Sequence, residues 1–274
     1  MSLIIIIPIT AVILIVAYLL CLKPNNRRKH QMNPFEEVYI AHRGLFDNDG
    51  DSPENSMMAF RRAAAHGFGI ELDVRLTADK YMVVFHDENI KRMCGTNRKV
   101  GDCTYDELRK YTLNDTSEAI PLLREVLDAI AGKVPLIIEI KAKGRYVDTV
   151  KKLSEIMKCY RGIYCIESFN PLAVAWYRRK HPEVLRGQIS SGYMINGSNS
   201  ILKETIFSNL LLNWYSKPDF IAYNHKHANQ LPFRVCRNLF KVENVAWTIR
   251  NQEELNKAKE IFQVIIFDGF FPDK

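Results

Sequence analysis

Short apolar runs recur along most of this chain, separated by segments with helical spacing. They fall at residues 38–41, 70–74, 135–140, 163–167, 184–189, 220–223, 245–248 and 264–267. A strand with one wet face alternates apolar and polar residues, whereas these runs are apolar almost throughout. Such strands need cover on both faces, which means a parallel sheet with helical crossovers. A ninth run, residues 82–85, follows Asp73 too closely to be part of that sheet in the same sense. Only the seven residues 75–81 lie before it, too few for a parallel crossover. It is expected to return antiparallel, as an excursion from the mouth. The eight runs that remain predict a closed (β/α)8 barrel, the TIM-barrel form of the α/β class.

Two acids interrupt the second run, Ile70-Glu71-Leu72-Asp73-Val74. Side chains alternate along a strand, so Glu71 and Asp73 share a face. Two buried carboxylates on one face repel each other and pay desolvation, unless positive charge sits between them. The ordinary reading is one acid in an ion pair and the other at a frayed strand end. A divalent cation is the alternative, and the other strand ends favour it.

In a parallel barrel the loops after the strands carry the chemistry. The first strand here ends in His42-Arg43-Gly44 and the excursion in His86-Asp87. The third barrel strand ends in Glu139-Ile140-Lys141. Three carboxylates, Glu71, Asp73 and Glu139, suit a hard cation such as magnesium or calcium. Two histidines are suited to acid and base work, and Arg43 and Lys141 to an anionic substrate. Singly, each has a plain structural use: a loop-holding histidine, or a Glu139–Lys141 ion pair. Together they are the parts of metal-assisted phosphodiester cleavage.

The intervening segments fit the same plan. Residues 88–116 are too polar for a barrel strand and read as a small insertion over the mouth, with a helix near 105–111. Asn55 or Ser56 can cap the helix that follows the first strand, and His66 suits its C-terminal end. Helices are expected over residues 146–159 and from Pro171 to His181. The Gly- and Ser-rich run 190–200 reads as a loop, and 201–214 as a helix. An eighth helix is expected to be short or missing.

The first 34 residues form a separate unit, an anchor and basic linker ahead of a barrel domain over 35–274. Residues 3–22 carry no charge, and twenty helical residues span roughly 30 Å, the thickness of a bilayer core. Lys23, Arg27, Arg28 and Lys29 all follow this run. The positive-inside rule then predicts a single-pass membrane protein with its catalytic domain on the cytoplasmic side. These four cations supply +4 of the +7 net charge. The nearly neutral body gives no sign of a nucleic-acid partner. Six cysteines without a CxxC pair are expected to be reduced and structural.

The ordered set Ala41-His42-Arg43-Gly44, Pro53-Glu54-Asn55-Ser56, Glu71-Leu72-Asp73-Val74, Phe85-His86-Asp87 and Glu139-Ile140-Lys141 resembles the glycerophosphodiester phosphodiesterase family. Ser168-Phe169-Asn170, Trp247-Thr248 and residues 265–268 are similar to its later motifs. The resemblance implies a barrel of the phospholipase C-like phosphodiesterase type and release of sn-glycerol 3-phosphate from glycerophosphodiesters. It implies His42 and His86 as the acid/base pair, with one magnesium or calcium ion on Glu71, Asp73 and Glu139. Arg43 and Lys141 would contact phosphate, and Phe169 and Trp247 would wall the pocket. Arg92-Met93-Cys94-Gly95 departs from the family pattern after His86-Asp87, keeping only its arginine. Two other readings stand beside this one. A membrane-facing lysophospholipase D would act on lysolipids, and a membrane-tethered barrel would bind without catalysis. The complete set of ionisable residues weighs against the latter.

Overall fold

The computed structural model describes residues 2–141, 144–191, 205–206 and 208–273, with side chains from Pro8 onward. Its strands are β1 (Ile40–His42), β2 (Gly69–Leu76), β3 (Met82–Val84), β4 (Leu136–Ile140) and β5 (Tyr164–Ser168). They continue as β6 (Arg186–Ser190), β7 (Phe220–Asn224), β8 (Glu243–Ile249) and β9 (Val264–Phe267). β1 pairs in parallel with β2 on one side and β9 on the other, which closes an eight-stranded parallel barrel. β3 stands outside the ring. It returns antiparallel on β2, with Val84 opposite Val74 and Met82 opposite Leu76, as the short connection requires.

Helices α1 (Ser2–Leu22), α2 (Met57–Ala65), α3 (Tyr105–Leu108), α4 (Leu123–Ile130) and α5 (Tyr146–Met157) precede α6 (Pro171–Lys180), α7 (Asn213–Ser216), α8 (Leu231–Asn238) and α9 (Gln252–Lys259). Their starts follow local chemistry. Ser56 accepts a hydrogen bond from the Ala59 amide and so caps α2, while Asn170 caps α6 ahead of Pro171. Thr104 and Glu107 form a reciprocal capping box on α3, inside the insertion. Most of the expected loop at 190–200 lies outside the described residues; of the helix expected over 201–214, residues 209–212 form turns instead and α7 starts only at Asn213. After β9, the described chain forms no further helix. Phe271 folds back instead onto Phe68 and His66, with ring centroids 5.2 and 5.1 Å apart. None of the six cysteines is paired.

Alternation along the strands divides the core in two. Ala41, Ile70, Leu72, Val74, Ile138, Ile140 and Ile166 face the helices. Ile40, Ile137, Cys165, Phe220, Val245, Val264 and Ile266 fill the barrel interior. The same inward rows continue toward the mouth as His42, Glu71, Asp73, Glu139, Glu167 and Trp247, so the interior is apolar below and ionisable above.

The N-terminal segment departs from the expected picture. Among the described residues no helix is long and apolar enough to cross a membrane. α1 itself forms over Ser2–Leu22, with Pro8 inside it. The segment after it is no loose tether. Asn213 donates to the Leu22 carbonyl at 3.1 Å, and the Asn25 amide to the Pro218 carbonyl at 2.8 Å. Arg28 Nε donates to Asp219 at 3.1 Å, and its guanidinium also reaches the Val184 carbonyl at 3.1 Å. Met32 and Phe35 are fully buried among Ile40, Ile137 and Phe220, plugging the end of the barrel away from the mouth. Phe35→Ala leaves a cavity in that plug and is expected to cost about 3–5 kcal/mol. An unchanged denaturation midpoint in urea would show that the plug is not part of the cooperative core.

Candidate active site

β1 and its loop place the first group. His42 Nδ1 lies 2.8 Å from Asp268 Oδ2, directly after β9, and Arg250 Nε holds the other Asp268 oxygen at 3.0 Å. Burial lowers the imidazole pKa, with the Asp268 hydrogen bond pulling the other way. A carboxylate on Nδ1 keeps the proton there and leaves Nε2 as the free nitrogen. Nε2 is 3.9 Å from Glu71 Oε2. The next two residues turn sharply, Arg43 with φ of 57° and Gly44 with φ of 83°. A Cβ on Gly44 would meet the Ala59 backbone at 2.8 Å, so only glycine brings α2 this close.

That turn aims Arg43 inward. Its amide donates to Glu71 Oε2 at 3.1 Å, its Nη1 to Glu54 Oε1 at 2.7 Å, and its Nε lies 3.4 Å from Asp73 Oδ2. The expected choice between Asn55 and Ser56 as helix cap resolves into two jobs. Ser56 caps, while Asn55, at φ 58°, turns its side-chain amide onto Asp73 Oδ2 at 2.9 Å.

β2 and β4 bring three carboxylates together. Glu71, Asp73 and Glu139 each offer an oxygen, and these lie within 4.8 Å of one another, all buried. The Lys141 ammonium sits 2.7 Å from Glu139 Oε1 and 3.1 Å from Asp73 Oδ1. Despite that ion pair, neither Asp73 Oδ1 nor Glu71 Oε1 has a hydrogen-bond partner of good geometry. Burial, then the Asp73, Glu139 and Glu167 charges, push the Glu71 carboxyl well up. Burial acts on Asp73 in the same sense, but Lys141 and Arg43 outweigh it and hold that carboxyl down. Crowded, buried carboxylate oxygens without donors are what a hard divalent cation would satisfy. The donor set fits one.

The second histidine comes from the β3 excursion. His86 Nδ1 lies 2.6 Å from Asp87 Oδ1, Arg92 Nε donates to Asp87 Oδ2 at 2.7 Å, and Arg75 holds the His86 carbonyl at 2.6 and 2.9 Å. Arg92 also grips Glu54 at 2.7 and 2.9 Å. Arg43, Glu54, Arg92 and Asp87 thus link the two histidine loops in one charged chain.

His42, Arg43, Glu71, His86, Glu139 and Lys141 line one cavity of about 220 Å³, with Phe169 and Trp247 as an edge-to-face pair 5.7 Å apart. Asp73 lies in its floor, fully buried. Every candidate catalytic, metal, phosphate and pocket residue named from the sequence is therefore brought to one place. A larger hollow of about 560 Å³ on the outer wall is lined by none of the candidate catalytic, metal, phosphate or pocket residues. Sequence reasoning gave no role to Asp268, Glu54, Asp87, Arg92 or Glu167, and read Asn55 only as a possible helix cap. Strand alternation alone would have pointed two of these inward, Asp268 after Ile266 and Glu167 after Cys165.

The mouth of this (β/α)8 barrel thus gathers three clustered carboxylates and two oriented histidines, a set suited to metal-assisted hydrolysis. Residues 42–273 match the model of the glycerophosphoryl diester phosphodiesterase family, and the chain belongs to that family. It is 34% identical over 160 residues to a lysophospholipase D from Homo sapiens, covering 54% of this chain and 49% of that protein. It is 36% identical over 161 residues to a glycerophosphodiester phosphodiesterase from Caldanaerobacter subterraneus, covering 55% and 65%. The chain thus spans about half the length of the human relative. In fold it is similar to an Oleispira antarctica phosphodiesterase solved with its product sn-glycerol 3-phosphate, with TM-score 0.69 and 21% identity over 85% of this chain and 92% of that one.

Glu54 supplies a check on the charged chain. Burial alone would raise its pKa, but Arg92 and Arg43 bring it down to about 2 from 4.5. A depressed carboxylate stabilises the fold above its unfolded pKa, and that stability is lost as pH falls through the folded one. Glu54→Gln is therefore expected to cost about 3 kcal/mol at pH 7. The gap to wild type should narrow below pH 4.5 and close as pH passes 2. Urea titrations at several pH values would show this, and a gap independent of pH would refute it.

Proposed function

We propose that this protein hydrolyses glycerophosphodiesters to sn-glycerol 3-phosphate and an alcohol. The observation that carries the reading is the convergence of three carboxylates, two carboxylate-oriented histidines and two cations on one cavity. Family membership agrees with it. Glu71, Asp73 and Glu139 would hold one divalent ion, magnesium or calcium. When bound, such an ion supplies positive charge for the developing phosphorane oxygens.

The chain's own residues do the rest. Arg43 and Lys141 face the cavity with fixed positive charge, and orient a phosphodiester by charge-assisted hydrogen bonds. Asp268 fixes the His42 ring, and Asp87 the His86 ring, each through Nδ1. Both Nε2 atoms are then left for proton traffic, one taking a proton from the attacking hydroxyl and the other giving one to the leaving alcohol. Phe169 and Trp247 pack the carbon skeleton and thin the water around the reacting atoms.

His42→Ala and His86→Ala are each expected to lower kcat by about 10²–10⁴ while leaving the melting temperature and calcium affinity near wild type. Glu139→Gln should weaken metal binding itself. Release of glycerol 3-phosphate, followed with added metal and then with a chelator, checks both, and full turnover by His42→Ala would refute the assignment.

A second reading, lysophospholipase D action at a bilayer, is favoured by α1. Its side chains from Ile9 to Val16 are exposed, and they are apolar on every side apart from Thr10, a pattern that suits a lipid surround. We infer attachment to a membrane through residues 3–22, with the barrel on the side of the basic flank. Cells expressing the full chain should yield it in the membrane pellet after alkaline wash, protease-protected in sealed right-side-out vesicles. Recovery in the supernatant would remove the anchor. Faster turnover of glycerophosphocholine than of its lysolipid would favour the headgroup diester as substrate.

A further inference from the structure

Glu167 is a fourth carboxyl at the cavity, after Glu71, Asp73 and Glu139, and the proposed chemistry leaves it unused. It stands on β5, opposite Glu139 of β4, and strand alternation turns it inward with Cys165. The residue is 3% exposed yet lines the cavity beside His86, Lys141, Phe169 and Trp247. It lies outside the cluster formed by Glu71, Asp73 and Glu139.

Among the described residues its Oε2 has no hydrogen-bond partner. The neighbours are already committed. Lys141 pairs with Glu139 and Asp73. Gln188 spends its amide nitrogen on the carbonyls of Ser168, Phe169 and Ile189. Gly187, its partner on β6, has no side chain. A buried carboxyl oxygen without a donor is costly to the folded protein. One that faces a cavity can recover that cost from a ligand.

The chemistry of the cavity says which part of the ligand. Phosphate is anionic and belongs with Arg43 and Lys141, not beside another carboxyl. Hydroxyl groups donate, and an acceptor in a cavity that an aromatic pair also lines suits a short hydroxylated carbon chain. We propose that Glu167 is a specificity-determining residue that accepts hydrogen bonds from the glycerol hydroxyls of the substrate. This rests on the glycerophosphodiester reading and adds the group that distinguishes glycerol from a plain alkyl chain. A site built to bond a hydroxyl rejects the analogue that lacks it, because its own polar group is then left unpaired.

Binding tests this without relying on turnover. Titration calorimetry compares sn-glycerol 3-phosphate with propyl phosphate, the same monoester without hydroxyls, in the presence of calcium. Wild type should favour glycerol 3-phosphate by roughly 10²-fold, the worth of a hydrogen bond to a buried carboxyl. Glu167→Leu should bring that ratio close to unity with little change for propyl phosphate, and Glu167→Gln, which keeps an acceptor oxygen, should restore part of it. A ratio that Glu167→Leu leaves unchanged, or equal weakening of both ligands, overturns the assignment while leaving the proposed function standing. Failure of wild type to bind either phosphate overturns both.

Discussion

Three carboxylate oxygens within 4.8 Å of one another, inside a protein core, are the constraint that shapes this molecule. The desolvation and mutual repulsion of such a group are far too large to leave unanswered. Much of the surrounding sequence answers them. Arg43 reaches Glu71 with its amide and lies close to Asp73, Asn55 donates to Asp73, and Lys141 bridges Asp73 and Glu139. The lower interior is apolar and closely filled, so the strands that carry the acids have a rigid base. Glu71 still keeps an oxygen without a donor. That residual deficit is where the folded chain has stability set aside for a ligand.

Orientation of the two histidines follows the same economy from opposite sides. Asp268 arrives from the last strand and Asp87 from the excursion, and each is itself held by an arginine, Arg250 or Arg92. Arg92 is the one element of the variant segment after His86-Asp87 that keeps to the family pattern, and it spans Asp87 and Glu54. The departures at Met93 and Cys94 therefore leave the histidine support intact. They face a separate small core of Val83, Phe85, Ile90, Val100 and Leu108 under the insertion.

Much of this was legible in the sequence, because strands in a parallel barrel write their burial into local composition. The count of eight, the antiparallel return of residues 82–85 and the shared face of Glu71 and Asp73 all rest on neighbours within a few positions. Strand ends drifted where packing overrode the local pattern. The first strand was expected at 38–41, but Val38 packs against the plug of Met32 and Phe35 and pairing starts at Ile40. The pairing of Asp268 with His42 was unreadable for another reason. The aspartate lies 226 residues from the histidine it orients, and no local rule connects them. Asn55 shows a third kind of limit, since cap chemistry permits it and Ser56 alike, and only the approach of Asp73 separates their uses.

The N-terminal segment illustrates how a composition-based boundary differs from a mechanical one. Charge and hydropathy change at the end of α1, which suggests an anchor, a basic linker and then a domain. Physically, residues 22–35 belong to the barrel: Leu22 is buried, Arg28 is locked to Asp219, and Phe35 closes the interior. Two of the linker cations are thereby spent on protein partners, Arg28 on Asp219 and Lys29 on Glu243 at 3.6 Å, which leaves less charge free for headgroups. The last turn of α1 is thereby docked on the barrel, with Leu22 buried in the core and Tyr18 packed against it.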